Sequence, residues 1–273
     1  VLGAVVEYAR ELSEALTAAR LAGDYALREY ESFVPIPNAP ASISTHVDHG
    51  AQELILKHLR AAFPGDGLVA EERTPTLADA PTGADRVWVV DPIDGTRGFA
   101  MKNGEFSVMV GLTIGGRPVV GVVLEPVRGR ITYASAGSGC WVESDGGKPV
   151  RCRVTDCADL TESTLVQSRS KPGKPPKLAV TVLRPARVIE TYSAGLKLAI
   201  VARGEAELYV NDYTNFHDWD ICAGHVLVEQ AGGRMSLFDG SPVTYGVAGP
   251  RRRGMIASNG RVHDEAVKRL ADL

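Results

Sequence analysis

Residues 106–142, "FSVMVGLTIGGRPVVGVVLEPVRGRITYASAGSGCWV", constrain the fold more than any other part of the chain. Apolar, strand-prone segments are divided there by Gly115-Gly116 and by Pro126-Val127-Arg128-Gly129. Connections this short join antiparallel neighbours, because a parallel pair needs a crossover of about a dozen residues or more. The stretch therefore predicts an antiparallel sheet, which excludes a helical bundle and a purely parallel sheet.

Helical spacing dominates before that sheet. Val5, Tyr8, Leu12, Leu16 and Ala19 predict an amphipathic first helix, which "PIPNAPAS" ends. In "ISTHVDHGAQELILKHLRAAFPG", Asp48 falls near a helix start, with Ala51, Leu54, Ile55 and Leu59 on one face and Pro64-Gly65 as the stop. "GLVAEE" and "RVWVV" read as strands. Past "SDGGKPV", "STLVQSRS" and "ARVIETYS" read as strand ends, "AGLKLAIVARG" as a helix, "EAELYV" as a strand and "DWDICAGHVLVEQAGG" as a helix. The organisation is two layered α/β subdomains, an N-terminal one over 1–150 and a C-terminal one over 151–273. A chain of 273 residues is long enough to bury about three quarters of its unfolded surface.

Composition narrows the partners. A formal net charge of −3 argues against a nucleic-acid polymer. No apolar run reaches the ~18 residues of a membrane span. Cys140, Cys152, Cys157 and Cys222 lack metal spacing and C-x-x-C pairing, as expected of reduced thiols in a cytoplasmic protein. The opening residues lack the basic start of a secretory signal.

The chemistry gathers in "VVDPIDGTRGFA", residues 89–100, where Asp91 and Asp94 close an apolar run. Two carboxylates at the end of a buried strand are costly unless a cation lies between them. With the Ile93 carbonyl they offer oxygen donors alone, which suit a hard ion such as Mg²⁺. Gly95 and Thr96 open a predicted helix, whose free N–H groups favour a phosphate oxygen. Taken alone, Asp-Pro-Ile-Asp-Gly is also a turn sequence, Asp48 a helix cap, Glu71-Glu72 a solvated acidic pair, and Asp220 an acid suited to the start of the last long helix.

Taken in order, Asp48, Glu71-Glu72, Asp91-Pro92-Ile93-Asp94-Gly95-Thr96 and Trp219-Asp220 with Ala223-Gly224 resemble the magnesium-dependent, lithium-sensitive phosphatases of the inositol monophosphatase superfamily. The resemblance covers nearly the whole chain. It implies a layered αβαβα sandwich of the sugar-phosphatase type. By motif position it implies one Mg²⁺ held by Glu71, Asp91 and the Ile93 carbonyl, and a second held by Asp91, Asp94 and Asp220, with a third at Glu71 left open. It further implies a water positioned by Thr96 with Asp48 behind it, Glu71 contributing to catalysis, and a phosphate on the Gly95 and Thr96 amides. Ile93, Asp94, Gly95, Thr96, Lys197 and Asp220 would then surround the substrate.

"GTRGF", "NGEFSV", "SRS" and Gly195-Leu196-Lys197 resemble the CysQ-type 3′(2′),5′-bisphosphate nucleotidases within that superfamily. Two phosphates call for more cationic contact than the metals supply, and Arg97, Lys102, Arg169, Lys171 and Lys197 are available. Three departures count against this branch. Lys171 stands where the nucleotidases carry a histidine, Ser193-Ala194-Gly195 where they carry Gly-Ser-Ser or Gly-Ser-Gly. The approach "NDYTNFHDWD", with His217 and Asp218, partly resembles inositol phosphatases. The expectation is a phosphatase of small esters, foremost adenosine 3′,5′-bisphosphate. Inositol monophosphate or histidinol phosphate is the alternative substrate, and a non-catalytic metal-binding homologue the alternative of another class. Relatives of this kind are often dimers, but no interface signature appears in the sequence.

Overall fold

Alanine decides how the first helix packs. In the computed structural model, which describes residues 7–170, 175–213, 216–246 and 254–271, α1 (Ala9–Ser32) buries Ala15, Ala18, Ala19, Ala22 and Ala26. The larger Leu12 and Leu16 lie at the edge of this stripe, partly buried. Small side chains let the helix axis approach the sheet closely. Val5 lies outside the described residues. α2 (His46–Ala62) turns Val47, Ala51, Ile55, Leu56 and Leu59 inward. Leu54, expected on that face, is 38% exposed, and Leu56 takes the place assigned to it.

The antiparallel sheet is present and larger than expected. β1 (Gly67–Ala70), after which α3 (Pro75–Ala78) interrupts the polar loop, pairs in parallel with β2 (Arg86–Asp94). A short α4 (Thr96–Ala100) follows β2. β3 (Ser107–Ile114), β4 (Arg117–Glu125), β5 (Arg130–Ser135), β6 (Gly139–Ser144) and β7 (Val150–Cys152) then continue the sheet antiparallel, in sequence order. The second sheet comprises β8 (Thr164–Gln167), β9 (Arg187–Glu190), β10 (Leu208–Asn211), β11 (Arg234–Leu237) and β12 (Met255–Ser258) in the order β11-β12-β10-β8-β9. Its helices are α5 (Leu178–Leu183), α6 (Ala194–Ala202), α7 (Cys222–Gln230) and α8 (His263–Leu270). α5, β11, β12 and α8 are not among the elements expected from the sequence.

Five layers result. α1 and α2 cover one face of the first sheet, α6 and α7 lie between the sheets, and α5 and α8 cover the far face of the second. Three apolar clusters fill the gaps between the layers. The expected αβαβα sandwich is the observed fold. α7 sits so tightly on the first sheet that a Cβ at Gly121 would come within 2.1 Å of the Ala223 carbonyl oxygen, and its partner Gly111 meets Cys222 in the same way. The glycine pair in mid-sheet thus fixes the start of α7 over β3 and β4, which brings Asp220 to the rest of the site. Asp220 lies two residues before α7, in the turn that leads into it, rather than inside the helix. The four cysteines form no disulfide, and no described helix is long and apolar enough to cross a membrane.

Candidate active site

A β-bulge turns two carboxylates the same way. Side chains alternate across a strand, so residues three apart should point to opposite faces. β2 does not end at Asp91. It continues to Asp94, and the register with β3 slips between Asp91 (opposite Met109) and Asp94 (opposite Ser107). Pro92 and Ile93 together face the single residue Val108. The extra residue resets the parity, and proline, which has no N–H to give to a ladder, is tolerated at such a place. Asp91 and Asp94 both line one cleft of about 600 Å³ as a result, together with Glu71, Ile93, Thr96 and Asp220.

Asp48 is fixed from two sides. Thr45, not Asp48, is the N-cap of α2, and Asp48 is its capping-box partner three residues on. Its Oδ2 accepts from the Thr45 amide (2.9 Å) and hydroxyl (2.6 Å), while Oδ1 accepts from Thr96 Oγ1 at 2.8 Å. The cap and the site contact are therefore one residue's work. One turn further along α2, buried Gln52 donates to the Glu72 carbonyl (2.6 Å) and accepts from the Glu72 amide (2.8 Å), clamping the backbone beside Glu71. Glu72 itself accepts from Ser44 Oγ at 2.6 Å. Gln52 belongs to none of the sequence motifs, although its spacing of four from Asp48 puts both on one helix face.

Asp94 is held by the start of α6. It accepts from the Gly195 amide (2.5 Å), the Ala194 amide (3.1 Å) and Ser193 Oγ (2.5 Å). That loop is in turn tied by Lys197. The buried ammonium donates to the carbonyls of Thr191 (3.3 Å), Tyr192 (3.0 Å) and Ser193 (2.5 Å), which uses all three of its protons. Lys197 reaches the cleft wall, but its hydrogen bonds serve the loop rather than a substrate. Lys197→Met is expected to lower stability by about 1–3 kcal/mol through these lost bonds, read as a lower urea midpoint. Unchanged stability with a raised KM would instead mark Lys197 as a substrate contact.

The electrostatics point to a cation. Dehydration in the cleft, then the charges of Asp220, Glu72, Asp48 and Asp94, push Glu71 up to about 8, although solvent still reaches its side chain. Burial and then Glu71, Asp94, Asp220 and Asp48 raise Asp91 well above the carboxylate range. Burial, then Asp94 and Asp218, raise Asp220 to about 7 against the lowering effect of the His217 amide and Lys197. Asp48 is raised mainly by burial. As they stand, no three His, Cys, Asp or Glu side chains among the described residues converge on a single ion position, so gripping an ion requires rotation of side chains. The donors nonetheless fit a hard cation: all are oxygens, all line one cleft, and a positive ion there would lift the mutual repulsion that raises their pKa values.

The other expected cations divide. Arg169 forms a two-pronged pair with Glu105, its Nε 2.7 Å from Oε2. Lys102 leaves the site and donates to the Glu31 carbonyl at 3.0 Å. Lys171 lies outside the described residues. Arg97 lines the cleft. His217 stacks on Trp219 at 4.3 Å between ring centres, and Asp218 accepts from the Gly246 amide at 2.8 Å, so both shape the turn around Asp220.

The inositol monophosphatase family profile matches residues 3–272, almost the whole chain. The chain belongs to the inositol monophosphatase family. Among family members, a histidinol-phosphatase of Mycobacterium tuberculosis is 32% identical over 83% of this chain and 84% of its own length. A 3′(2′),5′-bisphosphate nucleotidase CysQ of Escherichia coli K12 is also 32% identical, over 86% of this chain and 93% of its own. The solved inositol monophosphatase of Anabaena superposes with a TM-score of 0.78 at 26% identity, covering 97% of this chain and 96% of that one. Inositol monophosphatase family enzymes are generally Mg²⁺-dependent, in keeping with the oxygen-only donors of the cleft.

Proposed function

We propose that this member of a phosphatase family is a Mg²⁺-dependent 3′(2′),5′-bisphosphate nucleotidase that removes the 3′-phosphate of adenosine 3′,5′-bisphosphate. The observation that carries the reading is the meeting of Glu71, Asp91, Asp94 and Asp220 in one cleft beside the Thr96–Asp48 hydrogen bond. Glu71, Asp91 and the Ile93 carbonyl would hold one ion, and Asp91, Asp94 and Asp220 a second. When bound, such ions lower the pKa of water and stabilise charge on attacking and leaving oxygens.

The chain's own groups do the rest. Thr96 Oγ1 donates to Asp48, which leaves its lone pairs to accept a hydrogen bond from the attacking water and hold that water in line; as the water loses its proton, Thr96 takes it up and passes its own to Asp48. Asp48, fixed by Thr45, keeps the hydroxyl from rotating. The Gly95 and Thr96 amides, at the start of α4, face the phosphate; Gly95 reaches this geometry with φ of 89°, a backbone region open to glycine. Asp94, held by Ser193 Oγ and the first amides of α6, keeps its place in the cleft wall. With cations on its carboxylates, a cleft of about 600 Å³ suits a small phosphorylated molecule.

A second reading, histidinol phosphate as substrate, is favoured by the equal identity to the M. tuberculosis enzyme. Phosphate release from adenosine 3′,5′-bisphosphate, histidinol phosphate and inositol 1-phosphate in Mg²⁺ separates the readings. The bisphosphate should give the highest kcat/KM, and Li⁺ should inhibit. A preference for either monophosphate would overturn the assignment.

A further inference from the structure

We infer that Arg97 forms a second anion subsite in the cleft and receives the substrate's non-scissile phosphate. The inference rests on the phosphatase reading above and locates the part of the substrate which that reading leaves unplaced. Two arginines flank the Tyr192 ring, with Arg97 Cζ 5.2 Å and Arg169 Cζ 5.8 Å from its centre. Their charges are in different states. Arg169 is compensated by Glu105 through both prongs of its guanidinium, so a ligand anion would have to compete with an existing pair. Arg97 Nε is buried and has no acceptor among the described residues. Nor does Arg97 join any salt bridge among them, even though four carboxylates share its cleft.

A buried charged donor without a partner is unfavourable by more than the roughly 1–3 kcal/mol of a neutral one, and such atoms are rare in native proteins. A phosphate supplies what the guanidinium lacks: a negative charge and two acceptors spaced for its fork. Position makes the same case. Arg97 follows Thr96 directly in α4, so an anion on Arg97 sits within one small molecule's length of a phosphate on the Thr96 amide. Tyr192 lines the cleft beside Arg97, with its ring under the guanidinium carbon. The Lys197 tie described above, through the Tyr192 carbonyl, keeps that ring in place. A neutral group at this place would leave Arg97 unpaired, and a cationic one would meet like charge as well.

The test compares kcat/KM for adenosine 3′,5′-bisphosphate with that for adenosine 3′-monophosphate, which lacks only the second phosphate. Wild-type protein should favour the bisphosphate by about 30-fold or more, the worth of one charge-assisted pair. Arg97→Met should reduce that ratio at least tenfold, and Arg97→Lys, which keeps the charge but not the fork, should fall between. A wild-type preference that survives both substitutions would overturn the subsite and leave the nucleotidase reading standing. A wild-type enzyme that ignores the second phosphate, or prefers histidinol phosphate, would overturn the nucleotidase reading and the subsite with it. Should Arg97→Met fail to fold, Arg97→Lys decides alone: an unchanged ratio refutes the subsite.

Discussion

Asp91→Asn should abolish turnover while leaving the fold intact, and in the absence of divalent ions it should make the protein more stable near pH 8. The loss of activity is expected to be at least about 10³-fold, beyond the roughly 10–100-fold seen when only a supporting contact to a metal ligand is removed. Asp91 is the one carboxylate assigned to both ions, so no neighbour can replace it. The stability effect follows from proton linkage. Asp91, Glu71 and Asp220 all have folded-state pKa values above their unfolded ones, Glu71 rising from 4.5 to about 8 and Asp220 from 3.8 to about 7. Between those limits the native state binds more protons at this cluster than the unfolded chain does, so the cluster's contribution to stability is full below about pH 4 and is lost as pH rises towards 8. Asn carries no charge there and removes Asp91's share. Denaturation in chelator at about pH 5 and pH 8 should show wild-type protein losing stability with pH and the variant losing less. Equal slopes would mean that the cluster is not strained by its own charge.

Thr96→Val should lower kcat by about 10²–10⁴-fold, the range for a lost proton-transfer or water-positioning group, with Mg²⁺ affinity retained. The substitution keeps the shape of the side chain but strips the hydroxyl that bridges Asp48 and the Ile93 carbonyl at 2.8 and 3.0 Å. Because Asp48 is wholly buried, losing this donor also lowers stability by about 1–3 kcal/mol. Thr96→Ser separates the two effects: it restores the hydroxyl and should recover most of the turnover. If Thr96→Ser were as slow as Thr96→Val, the hydroxyl would not be the active group.

Where periodicity was strong, the sequence was readable to within a residue or two. The meander from Ser107 to Ser144 follows from its turns, and α2 from its apolar face. β11 and β12, at four residues each, are too short to show a period, whereas α8 does show one, with Val262, Ala266 and Leu270 four apart and buried. The acids of the site were legible through their order and types, but their arrangement was not. Nothing local in Asp-Pro-Ile-Asp announces that a bulge will reverse the parity of β2, since register is set by the partner strand. Asp48's dual part depends on Thr45 and Thr96 being close in space, and Lys197's depends on a loop that folds back over its ammonium. Both are products of tertiary packing. Arg97 and Arg169 look alike in sequence, and only the presence of Glu105 beside one of them tells them apart.

Crystals soaked in Mn²⁺ and inorganic phosphate test the central assignment most directly, because anomalous scattering locates the ion without recourse to activity. Peaks are expected within about 2.5 Å of carboxylate oxygens of Asp91 and Asp220, with phosphate density beside the Thr96 amide and the Glu71 and Asp220 side chains rotated inward. Peaks elsewhere on the molecule, with those carboxylates unmoved and bare, would contradict it.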